Sequence, residues 1–324
     1  MIMRKLNTRT MKYLCLFLAV VCLYSLIGCK EKAIAEGEID NVTYEITAAE
    51  DVVSVRSNEP VVLEPVAGGE AVLGNETVSI DVTNMAEGYI VINYSGDNPK
   101  VKVQLKGPDN VTYTYNLLTP EAVIPITSGN GNYSINVFEN ISGSQYSTLY
   151  TDEMTLTVTN TFGPYLYPNQ YVNFNKDSAI VPKAKELAEG ATSDMEVVTS
   201  IYSYIVNNVT YDKEKFETAE KTYLPNVDDV LATKRGFCFD YSALMCSMLR
   251  SQRIPARMEI GYAGDVYHAW LSVYIDDIGW VNGMIEFNGT DWTLMDPTFA
   301  ANMSNSQLKS FIGSGTNYST KYVY

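Results

Sequence analysis

Between about residues 42 and 160, apolar and polar positions alternate in short runs. Turns rich in Gly, Asn, Asp and Pro separate the runs, as at residues 96–99 and 128–131. Because successive side chains of a strand point to opposite faces, a period of two predicts strands, and short strands at close spacing predict an antiparallel β-sandwich. The stretch has no His or Cys, which favours a spacer or binding module. The predicted strands are 78–82, 88–94, 101–105, 111–115, 133–138 and 154–158.

After residue 164 the pattern becomes mixed. Residues 178–189 have helical composition, and Ser193 and Glu196 form a capping-box pattern before a second helix with an apolar stripe. A polar loop with a short helix at 227–234 follows, and then an apolar helix from Cys238 to Leu249. Two strand-like runs, 257–262 and 267–274, flank a Gly-Asp turn and predict a β-hairpin.

The first 28 residues are typical of a bacterial lipoprotein signal peptide. Four basic residues between positions 4 and 12 precede an apolar stretch, 13–27, that is too short for a transmembrane span. It ends in a Leu-Ile-Gly-Cys sequence that resembles a lipobox, in which cleavage leaves a lipid-bearing cysteine, here Cys29. An ordinary signal peptide and an uncleaved anchor helix are the alternatives. All three predict export, and the first predicts a lipid anchor at the extracytoplasmic face of the cell membrane.

The net charge and the cysteine content make nucleic-acid binding and a disulfide-based role less favoured. The net charge of −15 becomes about −19 when the four basic residues of the signal are removed, which disfavours nucleic-acid binding. Of the five cysteines, only Cys238 and Cys246 lie beyond the lipobox. On one helix they would be about 12 Å apart along the axis, too far for a disulfide. A redox or structural role for Cys238 is a weaker alternative, because no Cys-x-x-Cys is present.

Three segments carry candidate chemistry. Cys238 follows Gly236 at a predicted helix start, where the helix dipole and free N–H groups favour the thiolate. His268 is the one histidine of the chain, on a predicted strand, and can accept a proton near neutral pH. Asp296 ends a short predicted strand before Pro297 and could orient the imidazole. Cys246, among apolar neighbours, is interpreted as a core residue.

Together the segments Gly236-Phe-Cys238, His268-Ala-Trp270 and Asp296-Pro-Thr298 resemble, in order and spacing, the transglutaminase-like superfamily, whose core is related to papain-type thiol proteases. The resemblance covers about residues 165–305. It implies Cys238 as nucleophile, His268 as general base and acid, and Asp296 as the group that orients the histidine.

A second oxyanion donor is less determined than the three catalytic groups. The Cys238 N–H is one donor, but no Gln precedes Cys238 locally as it does in papain-type enzymes. Transglutaminases use an aromatic donor upstream, so Tyr202, Tyr204 and Tyr211 are candidates. Trp270 could form a wall of the substrate cleft, with packing as the alternative. No metal or other cofactor is indicated, since the acidic pairs lack calcium-loop spacing and the single histidine disfavours zinc.

The predicted fold class is α+β: a papain- and transglutaminase-like catalytic domain preceded by an all-β (Ig-like) sandwich. The predicted layout is signal peptide 1–28, tether 29–41, sandwich 42–160 and catalytic domain 161–324. The predicted function is thiol chemistry on amide bonds of a peptide or protein, with cell-wall peptide as one candidate, and hydrolysis slightly favoured over crosslinking. The alternative is a non-catalytic adhesion or binding protein that uses the same scaffold.

Overall fold

The computed structural model describes residues 55–276, 278–282, 285–287, 292–294 and 318–324. The predicted signal peptide, the tether, Cys29 and Asp296 lie outside this range. The chain from Val52 to Tyr324 forms one compact unit. None of the helices in the described residues is both long and apolar enough to cross a membrane.

The amino-terminal part of the described chain is an antiparallel β-sandwich, as predicted. Its sheets have the strand orders β1-β2-β3-β6 and β5-β4-β7-β8. In β4 the alternate residues Val101, Val103 and Leu105 are buried and pack with the inward residues of the other sheet. Each of the six predicted strands overlaps an observed one, although β8 begins nine residues before the predicted start at 154, and β1 and β6 are additional. The strands are β1 Val72–Gly74, β2 Val78–Asp81, β3 Tyr89–Tyr94, β4 Val101–Lys106, β5 Thr112–Leu117, β6 Glu121–Pro125, β7 Gly131–Ser142 and β8 Gln145–Leu156.

Within the described residues, five α-helices follow the sandwich: α1 Ile180–Leu187, α2 Asp194–Asn208, α3 Lys213–Thr218, α4 Val227–Thr233 and α5 Cys238–Ser251. Helix α2 begins where the capping box predicts, because Ser193 Oγ accepts a hydrogen bond from the Glu196 N–H at 3.3 Å. The reciprocal bond differs by one residue, since Glu196 Oε2 accepts from the Thr192 N–H at 2.7 Å. Two short strands, β9 Thr210–Tyr211 and β10 Arg235–Gly236, pair in parallel across the polar loop.

Another four-stranded sheet, with the order β13-β12-β11-β16, follows the sandwich in the chain and packs against helix α5. Helix α5 packs against β11 and β12, which form the predicted hairpin around a Gly264 with φ of +60°. All residues of α5 except Phe239 are buried, so this helix is the core of the region. The strands are β11 Ala256–Ala263, β12 Val266–Ile275, β13 Gly279–Asn282, β14 Ile285–Phe287, β15 Trp292–Leu294 and β16 Tyr318–Val323.

Aromatic side chains join the sandwich to the β13-β12-β11-β16 sheet. The ring of Tyr113 on β5 contacts Tyr322 and Tyr324 with centroids 5.5 and 5.6 Å apart, and Tyr115 contacts Tyr324 at 5.9 Å. The buried residues of both parts form one hydrophobic cluster. Strand β5 therefore lies beside the carboxyl-terminal strand β16.

Candidate active site

Cys238 is the first residue of the buried helix α5, where the sequence predicts it. The preceding Phe237 has extended backbone angles, φ −118° and ψ −172°, so the helix begins abruptly at the cysteine. The cysteine is 4% exposed. A residue at this position has no carbonyl of its own helix to bond, so its N–H and the positive end of the dipole are available to an anion at the site.

The chain topology places His268 and Cys238 at the same end of the layer that α5 forms with β11 and β12. Helix α5 has 14 residues, which rise about 20 Å along its axis. Strand β11 then returns antiparallel and covers about 17 Å from Ala256 to Gly261. Gly261 is the direct cross-strand partner of His268. The amino terminus of the helix and the histidine therefore lie at the same end of the layer.

His268 and Trp270 lie on one face of β12, as the alternation predicts. The two rings are stacked, with centroids 6.4 Å apart and an interplanar angle of 22°, and Trp270 meets Tyr318 edge-on at 4.9 Å. Both side chains are nearly buried, His268 at 4% and Trp270 at 3% exposure. The intervening Ala269 and Leu271 enter the hydrophobic core with α5. Trp270 therefore packs against the histidine and limits the orientations of its ring.

Cys238 contributes to the raised pKa values of two tyrosines, Tyr211 and Tyr267. Burial and the neighbouring Cys238 raise the pKa of Tyr211 to about 12, and Cys238 also contributes to the raised pKa of Tyr267, after burial and three other tyrosines. Tyr211 is placed by the β9–β10 pairing, in which it opposes Gly236, two residues before the cysteine. Tyr267 directly precedes His268. The nucleophile, Tyr211 and the histidine strand therefore form one electrostatic neighbourhood.

The other two oxyanion candidates lie on helix α2. Tyr202 is buried at 7% exposure, and the ring of Tyr204 lies under the ammonium of Lys183, 4.6 Å from its centroid. The third candidate, Tyr211, has a pKa raised first by burial and then by Cys238. Its phenol keeps its proton at neutral pH, as a hydrogen-bond donor must.

Asp240, for which the sequence pattern predicts no role, secures the first turn of α5. Its carboxylate is fully buried and accepts hydrogen bonds from the Phe237 N–H at 3.0 Å and from the Tyr223 hydroxyl. The ammonium of Lys215 lies 3.0 Å from Oδ2. Gly236 leaves room for this side chain, because a Cβ there would lie 2.5 Å from the Asp240 Cβ. Three chain segments thus converge on the turn that carries the cysteine.

A second buried carboxylate, Glu259, lies on the His268 face of the sheet. It opposes Trp270 across β11 and β12 and accepts hydrogen bonds from the hydroxyls of Ser272 and, at 2.6 Å, Thr320. The guanidinium of Arg257 donates to it at 3.0 Å. These bonds tie β11, β12 and β16 together beside the histidine. A glutamate at a strand centre gave no sequence signal, because its two hydroxyl donors are 13 and 61 residues away.

Cys246 is the core residue that the sequence predicts. It is fully buried, and burial raises the pKa of its thiol to about 12, so the thiol stays neutral. Asp296 lies outside the described residues, so its predicted orienting role stays a prediction. The described part of the chain contains no cluster of three or more His, Cys, Asp or Glu side chains that could hold a metal ion.

Residues 182–283 match the sequence profile of the Transglutaminase-like superfamily. The matched segment contains both Cys238 and His268. Together with the strand-rich amino-terminal part, this match establishes the α+β fold class, with a transglutaminase-like domain after the sandwich.

Two curated proteins and one solved structure are similar over parts of the chain. "Uncharacterized protein YebA" of Bacillus subtilis is 29% identical over 141 residues, which are 36% of this chain and 19% of that protein. Kyphoscoliosis peptidase of Mus musculus is 25% identical over 129 residues, 34% of this chain and 19% of that protein. A "Putative Cysteine Protease" from Cytophaga hutchinsonii is 15% identical over 78% of this chain and 81% of its own, with a TM-score of 0.34. The match thus spans about a fifth of each curated relative.

Proposed function

We propose that the transglutaminase-like domain of residues 182–283 is a thiol catalyst that acts on peptide or protein amide bonds through an acyl-enzyme at Cys238. The supporting observation is the position of Cys238 at the start of a buried helix, at the same end of the helix–sheet layer as His268. Cys238 also contributes to the raised pKa values of Tyr211 and Tyr267. Cys246 offers no comparable chemistry, because it is neutral and enclosed. Cys238, in contrast, lies at the helix terminus that favours its anion.

In the first half-reaction, His268 takes the thiol proton and the thiolate of Cys238 attacks the amide carbonyl carbon. On this proposal the N–H of Cys238 and the hydroxyl of Tyr211 donate hydrogen bonds to the oxyanion that forms. The C–N bond breaks as the imidazolium returns its proton to the leaving nitrogen. Ammonia or an amine departs and a thioester remains on Cys238. Asp296, on this proposal, accepts the second imidazole N–H and fixes the ring orientation.

In the second half-reaction, a nucleophile attacks the thioester after giving its proton to His268. Water regenerates the thiol and releases an acid, whereas a primary amine releases a new amide. We favour hydrolysis slightly, because water is always present and the described residues of the site show no feature dedicated to an amine. Both outcomes use the same groups.

We further propose that the mature protein is lipid-anchored at Cys29 on the extracytoplasmic face of the cell membrane, where its substrates are peptides or proteins, including cell-wall peptide. The support is the charged n-region, the apolar stretch and the Leu-Ile-Gly-Cys ending of the signal. Metabolic labelling with a radioactive fatty acid should mark the wild-type protein and not Cys29→Ala. Label retained in the variant, or absent from both, would contradict the anchor.

The catalytic proposal is tested by mass spectrometry of a Gln-containing peptide incubated with the protein, with and without an added primary amine. Deamidation or chain cleavage indicates hydrolysis, and replacement of ammonia by the amine indicates transamidation. Cys238→Ala should abolish either product, and Cys246→Ala, its matched control on the same helix, should retain it. An unmodified peptide in all reactions would favour the binding-protein alternative, whereas product formation that persists in Cys238→Ala would overturn the assignment of Cys238 as nucleophile.

A further inference from the structure

Two cavities with four lining residues in common lie between strands β4 and β5 of the sandwich and the chain neighbours of the candidate catalytic residues. The first, which we name the aromatic cavity, has a volume of about 220 Å³ and contains Phe239 and Tyr267, the chain neighbours of Cys238 and His268. The second, the lysine cavity, has a volume of about 460 Å³ and lies over strands β4 and β5. They share the lining residues Thr114, Asn116, Lys221 and Thr222. The two therefore form one continuous depression.

The aromatic cavity is suited to an aromatic side chain, which can stack on its rings while polar atoms lie around them. Aromatic rings make up half of its described lining: Tyr171, Tyr223, Phe239, Tyr267, Tyr322 and Tyr324. Tyr267 is 48% exposed, although Cys238 contributes to its raised pKa, so its ring is accessible to a ligand next to the nucleophile. Flat rings with polar edges bind aromatic and aliphatic side chains while their hydroxyls contact the peptide backbone.

The lysine cavity carries a charge opposite to that of the protein. Among its described lining residues are three lysines, Lys100, Lys102 and Lys221, and one acidic residue, Glu220. The whole chain has a net charge of −15. A local basic surplus on so acidic a protein attracts anions and repels cations. The ammonium of Lys102 lies 4.3 Å from the centroid of the Tyr146 ring, which holds it at the cavity wall.

From these observations we propose that the two cavities form one binding groove for an acidic peptide. An apolar residue beside the reacting amide occupies the aromatic cavity, and carboxylates a few residues away pair with Lys100, Lys102 and Lys221. The identity of the reacting amide rests on the proposed function, whereas the groove itself does not. The sandwich is then a specificity module, since β4 and β5 supply the lysine and polar wall of the groove.

The test measures binding apart from chemistry. Fluorescein-labelled peptides of about 12 residues span both cavities when extended. Each has a central Phe-Gln pair and a run of Glu on one side, either amino- or carboxyl-terminal to it. Fluorescence anisotropy with the Cys238→Ala protein gives the Kd. One of the two acidic peptides should bind at least about tenfold tighter than its Glu→Gln counterpart, and added salt should reduce the difference.

Lysine-to-glutamate variants test which lysines contact the acidic peptide. Lys102→Glu and Lys221→Glu should each weaken binding of the acidic peptide about five- to twentyfold. Lys106→Glu, an exposed lysine on the same strand that does not line either cavity, should leave it unchanged. The thermal midpoint of each variant shows that it is folded. Equal binding of acidic and neutral peptides, no binding of either, or equal loss in Lys102→Glu and Lys106→Glu would overturn the proposal.

The outcomes separate the groove from the catalytic proposal. If the acidic peptide binds Cys238→Ala but the wild-type protein leaves it chemically unchanged, the groove stands and the proposed function fails. If the wild-type protein processes acidic and neutral peptides with the same kcat/KM and the variants bind them equally, the proposed function stands and the groove fails.

Discussion

Replacing the buried carboxylate of Asp240 by an amide should destabilise the protein markedly. In Asp240→Asn the amide oxygen can still accept from Phe237 and Lys215, while the NH2 group donates to the Tyr223 hydroxyl, which turns to accept. Hydrogen bonds to a charged group contribute about 1.5–3 kcal/mol each, against about 1 kcal/mol for neutral ones. Losing the charge on the bonds to Phe237 and Tyr223 therefore costs about 2 kcal/mol.

The total expected loss of unfolding free energy is therefore about 2 kcal/mol. The ion pair with Lys215 adds little to this figure, because the lysine side chain is 26% exposed and its ammonium can turn to water. For a unit of this size the thermal midpoint should fall by about 4–8 °C. Urea unfolding followed by tryptophan fluorescence measures the free energy, and differential scanning fluorimetry measures the midpoint.

Asp229→Asn is the matched control, because Asp229 is an exposed aspartate in the first turn of α4. This change should cost less than about 0.5 kcal/mol. In a double-mutant cycle, Asp240→Asn and Tyr223→Phe should show a coupling of about 1 kcal/mol or more. Equal destabilisation by Asp240→Asn and Asp229→Asn, with no coupling to Tyr223, would refute the assignment of Asp240 as the anchor of the turn.

Three further outcomes are expected. Tyr211→Phe should lower kcat/KM about 10–100-fold because an oxyanion donor is lost, while the alkylation rate of Cys238 should change little; an unchanged kcat/KM would exclude Tyr211 as donor. Arg250→Met should cost about 3 kcal/mol in urea unfolding, since the guanidinium donates to the carbonyls of Tyr167, Ala256 and Tyr324; a loss under about 1 kcal/mol would contradict this. Unfolding free energy should fall as pH rises above 9, because the ordinary pKa of a cysteine thiol, 9.0, applies to Cys246 in the unfolded chain, whereas burial in the folded protein raises its pKa to about 12. Cys246→Ala should flatten that decline between about pH 9 and 12, and an unchanged slope would contradict the assignment.

Features set by local periodicity were predictable from the chain alone. In β4 the buried residues alternate strictly, so Val101, Val103 and Leu105 revealed both the strand and its inward face. The hairpin of β11 and β12 and the start of α5 at Cys238 carry equally local signals, a Gly-containing turn and an apolar helical stripe. Such patterns depend on neighbours within one or two turns of the chain.

Features set by distant partners were not predictable in this way. Strand β16 completes the sheet by pairing with β11, from which it is separated by more than 50 residues, and no local pattern specifies that pairing. Asp240 resembles an ordinary first-turn aspartate until Tyr223 and Lys215 are placed beside it. The basic groove likewise depends on the sandwich and the segment at Lys221 meeting in space.

The candidate site was partly predictable. The elements that carry Cys238 and His268 were predictable, and the order of the motifs predicted the transglutaminase-like match of residues 182–283, whereas the catalytic roles of both residues stay predictions. The three tyrosine candidates could not be ranked from sequence, because the parallel pairing of Tyr211 with Gly236 joins segments 25 residues apart. Asp296, outside the described residues, rests on the motif resemblance.

The central claim, that Cys238 is a nucleophile activated by His268, is tested most directly by alkylation of the folded wild-type protein. Iodoacetamide should label Cys238 selectively over the enclosed Cys246 below about pH 8, as read by peptide mass spectrometry. The labelling rate of Cys238 should drop in His268→Ala, which removes the proton acceptor, and not in Cys246→Ala. Equal labelling of both thiols, with a rate that His268→Ala leaves unchanged, would contradict the account.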